Sequence, residues 1–222
     1  IGGLVRNLEP SEILDEVLFS ELESGSKISN IVMMGIGEPL DNFDNVMQFL
    51  KLVNHPKGMN IGMGHITIST CGLTERFEEL AGLDMQFNLA VSLHAPDDET
   101  RSKIMPANHG RGVSQLIDAC RRYYEKSGRR ITFEYAMIDG MNDSVEHATL
   151  LSKHARTVGA HINLIPLNYV EERPFKPTKP ENLKAFVKIL EQNGVNVTIR
   201  RKLGGDVDAS CGQLRRKMER KK

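Results

Sequence analysis

An α/β fold on a parallel sheet is what this sequence predicts, in the form of a partial (βα)6 barrel. Three observations carry the prediction. Short β-rich apolar runs alternate with segments of helical period, their starts spaced about 20 to 45 residues apart. No G-x-G-x-x-G fingerprint follows any strand, although a doubly wound sheet also fits the alternation. Polar residues sit where several strands end, the position from which a barrel builds its active site.

The elements follow in order. Residues 11–25 form a helix. Pro10 and Ser11 mark its start, Glu12, Asp15 and Glu16 fill its first turns, Gly25 stops it, and Ile13, Leu14, Val17, Leu18 and Leu22 make its apolar face. Residues 30–35 are a short buried strand. A helix over 41–53 places Val46, Phe49, Leu50 and Val53 on one side. The β-branched run HITIST at 65–70 is the second strand, followed by a short helix at 74–80. QFNLAVSL at 86–93 is the third strand, and 97–103 and 113–126 are helices. RITFEYAMI at 130–138, AHINLIPL at 160–167 and NVTIRR at 196–201 are strands. Helices at 145–158 and 179–192 separate them, the second ending in the C-cap pair Asn193-Gly194. No linker, low-complexity tract or repeat beyond the βα period divides residues 1–222, which read as one domain.

Composition excludes several classes. Of 222 residues, 40% are hydrophobic and 26% charged, which argues against wholesale disorder. Lys+Arg and Asp+Glu are both 29, so no chain-wide basic field exists, though a local patch remains open. No apolar run approaches the roughly 20 residues of a membrane span. Three cysteines are too few and too scattered for a disulfide scaffold. The chain begins Ile1-Gly2-Gly3 without an initiator methionine, and the expectation is that an upstream part of the domain is missing.

The strand ends carry the chemistry. The first runs into Gly35-Ile36-Gly37-Glu38-Pro39-Leu40. Its glycines permit close backbone approach, and Pro39 pushes Glu38 towards an extended conformation. Glu38 and the exposed carbonyls suit an ammonium group; a plain carboxylate-capped turn fits equally well. The second strand ends Ser69-Thr70-Cys71-Gly72, the third Ser92-Leu93-His94-Ala95-Pro96 and the fifth Pro166-Leu167-Asn168. Each is weak alone, but four around one sheet point to a polar ligand pocket. Cys120 lies on a helix with Leu116, Ile117 and Tyr124 and reads as core. Cys71 is a candidate pocket wall. Cys211, on a loop rich in glycine and acidic residues, reads as accessible. No cysteine has metal-ligand spacing to another. No two histidines share a helix at ligand spacing, and His147 and His154, seven apart, read as a surface stripe.

The strings MMGIGEPLDN, ISTCG, SLHAPDDETRSKIMPAN, INLIPLN and RRKLGGDVDASCGQL, in that order, resemble the RlmN/Cfr-type radical SAM methyltransferases of ribosomal RNA. The resemblance runs from residue 1 to about residue 214, and the RlmN branch fits best. It implies a radical SAM barrel that lacks, in this chain, its first strand and cluster loop, and it implies two cofactors, S-adenosylmethionine (SAM) and a [4Fe-4S] cluster. By motif, Gly37 and Glu38 would hold the SAM amino group, while Ser69, Ser92, Leu93, His94 and Asn168 would contact the rest. Cys211, on the loop 204–214, matches the cysteine that carries the methyl group. Such a carrier is needed because adenine carbon 2 is electrophilic and does not attack SAM directly.

The resemblance also implies methylation of adenine carbon 2 in large-subunit (23S) rRNA and in tRNA, with a flavodoxin-type reductant. Carbon 8 methylation of the Cfr kind and a non-catalytic RNA-binding remnant are the alternatives. The family's C-x-x-x-C-x-x-C motif is absent. The cluster cysteines are expected upstream of Ile1, so this fragment alone is expected to be inactive. Arg200, Arg201, Lys202 and the tail 215–222, with six basic residues and one acidic, are either phosphate contacts or solvated surface. Reduced thiols and an RNA substrate imply a cytoplasmic protein without a membrane partner.

Overall fold

The computed structural model describes residues 4–108, 110–167 and 175–200. Their elements run α1 (Pro10–Ser24), β1 (Ile31–Met33), α2 (Phe43–Asn54), β2 (Ile66–Thr70), α3 (Phe77–Ala81), β3 (Asn88–Ser92), α4 (Asp98–Ile104), α5 (Val113–Ser127), β4 (Ile131–Met137), α6 (Val145–Val158), β5 (His161–Pro166), α7 (Pro180–Gln192) and β6 (Val197–Ile199). The strands form one sheet in the order β1-β2-β3-β4-β5-β6, every neighbouring pair parallel. Strand order that follows chain order without reversal is a barrel wall, and it removes the doubly wound alternative, whose order turns back at a switch point. The helices follow the same succession, with α1 on α2, α3 on α5, α5 on α6 and α6 on α7.

Alternation along the strands separates two faces. Ile66 and Ile68, Leu89 and Val91, Ile131, Phe133, Tyr135 and Met137, and Ile162 and Leu164 are all at most 1% exposed. They join Phe49, Leu50, Leu116, Leu151, Phe186 and Leu190 from the helices in one apolar core. Each such side chain contributes about 1.5–3 kcal/mol by leaving water. The opposite face is polar. Register aligns Ser69, Ala90, Thr132 and His161 in one row across the sheet, and Ser92, Glu134, Asn163 and Thr198 in the next.

Most elements lie within two residues of their sequence-based bounds, and the differences have physical causes. The turn before α2 is a separate 3-10 segment, Pro39–Asn42, because Glu38 caps it from a β conformation (φ −112°, ψ 112°). In α1, Ile13 is buried and Leu14 and Val17 pack against the core, but Leu18 (39%) and Leu22 (75%) are exposed beside Phe19. The helix packs against α2, with Ile13, Leu14 and Val17 as its core-facing residues. Gly25 ends α1 in the left-handed region, at φ +61°.

The surface-stripe reading of His147 and His154 is overturned. Both are half-buried on the face of α6 that meets the β3–α4 loop. His147 Nε2 lies 3.2 Å from Thr100 Oγ1 and 3.5 Å from Asp97 Oδ2, and His154 Nε2 lies 2.8 Å from the Pro96 carbonyl. The two rings tie the loop after β3 to α6.

Candidate functional site

The C-terminal strand ends meet on the polar face, and the turns there are held by named bonds. Glu38 follows β1. One carboxylate oxygen accepts from the Leu40 N–H at 3.1 Å and the other from the Cys71 N–H at 2.7 Å, across to the end of β2. The turn-capping reading therefore holds: the carboxylate caps its own turn and spans two strands, and its remaining lone pairs are free to accept further hydrogen bonds. Gly37, at φ +99°, is exposed, and no heavy atom lies within 4 Å of where its Cβ would stand. Here the backbone can approach a ligand.

Ser69 is half-buried on the polar face of β2. Cys71 is half-buried at the end of the same strand. Burial, reinforced by the Glu38 bond and charge, pushes its thiol up to about 12. Burial also raises Cys120, which is fully enclosed in the core as its helical pattern implied. Both environments disfavour the thiolate, the nucleophilic form of cysteine.

Ser92 and His94 are half-buried at the end of β3, while the Leu93 side chain lies wholly in the core. His94 adopts φ +56°, rare for a residue with a side chain. The Leu93 and His94 amides both donate to the Glu134 carbonyl, at 3.1 and 3.2 Å, so two residues oppose one, as in a bulge. His94 Nδ1 accepts from the Ala136 N–H at 3.0 Å, which places the proton of the neutral ring on Nε2. Burial, then the Arg101 charge, lowers this imidazole to about 4.

Sequence reasoning missed the rest of the polar face. Asn163 Nδ2 donates to Glu134 Oε2 at 2.8 Å, Thr198 Oγ1 donates to Asn163 Oδ1 at 3.2 Å, and His161 Nε2 lies 2.9 Å from Thr198 Oγ1. Glu134 is 5% exposed, and burial raises its carboxyl pKa against the opposing influence of Asn163 and Arg200. The available signal was polar residues at every second position of the strands, as in Thr67/Ser69, Thr132/Glu134 and His161/Asn163. The exposed Arg200 extends the pairing of β6 through its amide to the Leu164 carbonyl, at 2.8 Å. Asn168, Arg201, Lys202, Cys211 and the tail 215–222 lie outside the described residues. Among the described residues no three His, Cys, Asp or Glu side chains group as a metal site, and no helix is long and apolar enough to cross a membrane.

The parallel barrel wall is shared with known proteins. A probable dual-specificity RNA methyltransferase RlmN of Desulforamulus reducens is 55% identical over 221 residues, covering 100% of this chain and 63% of that protein. One of the same name from Clostridium perfringens is 50% identical over 97% of this chain and 62% of its own length. The chain thus spans somewhat under two thirds of these relatives. A crystal structure of a radical SAM methyltransferase from Sphaerobacter thermophilus superposes with TM-score 0.87 at 41% identity, covering 95% of this chain and 63% of that one. A domain of a pyruvate-formate lyase-activating enzyme from Bacteroides vulgatus shares the fold at TM-score 0.62 and 18% identity, over 78% of this chain and 100% of that one. The Radical SAM superfamily model matches residues 2–151, and the chain belongs to that superfamily.

Proposed function

We propose that this chain is the SAM-binding barrel of an RlmN-type RNA methyltransferase, which methylates carbon 2 of an adenine in 23S rRNA and in tRNA. The observation that carries the reading is the convergence of Glu38, Ser69, Ser92 and His94 at adjacent strand ends of one polar face, in a chain 55% identical along its whole length to a protein named a probable dual-specificity RNA methyltransferase RlmN. The superfamily implies SAM and a [4Fe-4S] cluster.

The described residues fit SAM. Gly37 leaves open space for a ligand, Glu38 supplies carboxylate lone pairs for the amino group, and Ser69, Ser92 and His94 line the adjoining strand ends. His94 presents an Nε2–H donor, and Leu93 contributes backbone only. Asn168 completes the set on this reading. The described residues do not fit the cluster, because they hold only two cysteines, Cys71 and the core residue Cys120, against the closely spaced set of thiolates a cluster needs. We propose that this chain by itself assembles no cluster and transfers no methyl group.

When bound, SAM supplies the methyl group and, on one-electron reduction, a carbon radical. On this reading Cys211 would be the residue that carries the methyl group, and the base would have to be unstacked to reach the strand ends. The electron comes from a flavodoxin-type reductant. The reading places the protein in the cytoplasm, with Arg200, Arg201, Lys202 and the tail 215–222 against RNA phosphates.

The test uses the natural full-length protein, reconstituted anaerobically with iron, sulfide and reductant, and supplied with SAM, 23S rRNA and tRNA. Nucleosides from the digested RNA are resolved by mass spectrometry. 2-Methyladenosine from the wild type and none from Cys211→Ala supports the reading. 8-Methyladenosine moves the target atom, and RNA binding without any methylated adenosine overturns the activity.

A further inference from the structure

We propose that Arg101 and Asn142 are positioning residues of the SAM site, acting as two buried clamps that impose the backbone of Ser92-Leu93-His94; the inference rests on the reading of those residues as a SAM subsite. Three consecutive carbonyls at the end of β3 are taken up by side chains from later elements. Arg101 Nη2 donates to the Ser92 carbonyl at 3.1 Å and Arg101 Nε to the Leu93 carbonyl at 3.0 Å. Asn142 Nδ2 donates to the His94 carbonyl at 2.7 Å.

Each clamp has a second hold. Arg101 Nη2 also donates to the Cys71 carbonyl at 2.7 Å, which ties the end of β2 to the end of β3. Its Nη1 donates to Asn108 Oδ1 at 2.8 Å. Asn142 Nδ2 also donates to the Ala136 carbonyl at 2.6 Å, and its Oδ1 accepts from the Ile138 N–H at 2.8 Å. Asn142 thereby holds the end of β4 against His94, and the Ala136 amide fixes the ring. Arg101 is 1% exposed and Asn142 fully buried, so water does not compete for these bonds.

The side-chain types match the task. A guanidinium offers a rigid fork of donors, and Arg101 spends it on four uncharged oxygens from three segments. A lysine ammonium is one point and cannot reach all four. A buried cation whose hydrogen-bond partners are all neutral is costly for stability alone. It fits a role in shape: the left-handed His94 and the doubled amide contact with Glu134 persist only where surrounding groups over-determine them. The clamps set the spacing between the Cys71 and Ser92 ends and the direction of the His94 ring, which together define the wall a ligand meets.

The experiment measures SAM affinity by equilibrium dialysis with radiolabelled SAM, and KM for SAM and for RNA, on the reconstituted natural full-length protein and its Arg101→Lys and Asn142→Ala variants. Val158→Ala, a core change in α6 away from the strand ends, controls for lost stability. The variants are expected to weaken SAM binding and raise its KM about tenfold or more, as small misplacements at a site do, with the RNA KM unchanged. Long-range 1H–15N correlation of the histidine rings is expected to show His94 as the Nε2–H tautomer in the wild type and to lose that signature in Asn142→Ala. Folded variants with wild-type SAM affinity, or an equal loss in Val158→Ala, overturn the proposal. If Arg101→Lys does not fold, Asn142→Ala carries the comparison; if neither folds, the clamps are structural and the proposal falls. Wild-type protein that binds SAM but yields no methylated RNA refutes the RNA-methyltransferase reading while leaving the clamp comparison intact.

Discussion

Acidification is expected to unfold this protein partly through one residue, His94. Its ring is held neutral by burial beside the Arg101 guanidinium, with a pKa of about 4 against an ordinary 6.5. As pH falls, the unfolded chain takes up the proton first. The stabilisation is therefore complete above the unfolded value and is lost as pH drops from 6.5 towards 4. A gap of that size is worth about 2 kcal/mol between pH 7 and pH 5, rising to about 3 kcal/mol near pH 4. The reference is His94→Asn, which does not titrate and tolerates a left-handed backbone. His154 and His161 are also lowered by burial and contribute with the same sign, but in both proteins, so they cancel in the difference. Urea unfolding of the two at pH 7, 6 and 5 gives that difference. The wild type is expected to lose about 2 kcal/mol relative to the variant from pH 7 to pH 5. A difference that stays flat refutes the buried neutral ring. One that moves the other way means that the ring is charged and paired in the folded state, and the assignment of Nδ1 as acceptor of the Ala136 N–H falls with it.

Three substitutions test the frame around the site. Glu38→Gln keeps one acceptor for the Leu40 and Cys71 amides and turns an NH2 donor on the other. It is expected to cost about 1–2 kcal/mol, at the low end for charge-assisted bonds because Glu38 is half-exposed, read as a lowered urea midpoint at unchanged slope. Gly72→Ala places a Cβ 3.0 Å from Leu116 Cδ1 at φ +109°, and is expected to cost about 1–3 kcal/mol by the same assay. Phe133→Ala empties a fully buried position on the helix-facing side of β4, and calorimetry is expected to show a loss of about 3–5 kcal/mol.

The barrel wall was legible because its signals are local. In ITFEYAM, β-branched and aromatic residues make a strand wherever they lie, and the matching helices carry a 3.6 period. Glu38, Ser69, Ser92 and His94 were legible as candidates because a polar residue at a strand end is a local feature too. The polar face was not. Thr132 and Glu134 break an apolar run that, taken alone, reads as a strand buried on both sides. Only the register that aligns Glu134 with Ser92 and Asn163 shows these residues to be one surface.

The residues that hold the site are the least visible, for a stated reason. Arg101 sits in DDETRSK, a charged stretch that looks like a solvated helix face, and Asn142 in a Gly-Met-Asn-Asp turn that looks like a loop. What buries them is a cluster of backbone carbonyls from Cys71, Ser92, Leu93, His94 and Ala136, up to 48 residues away in sequence. Carbonyls belong to every residue and leave no mark on a sequence. The strand pattern accordingly extended β3 through Leu93, where the chain instead breaks register and turns left-handed at His94. Local propensity fails at the point where a buried cation and a buried amide override it. Tertiary bonds sustain that unfavourable backbone conformation at the ring proposed to meet SAM.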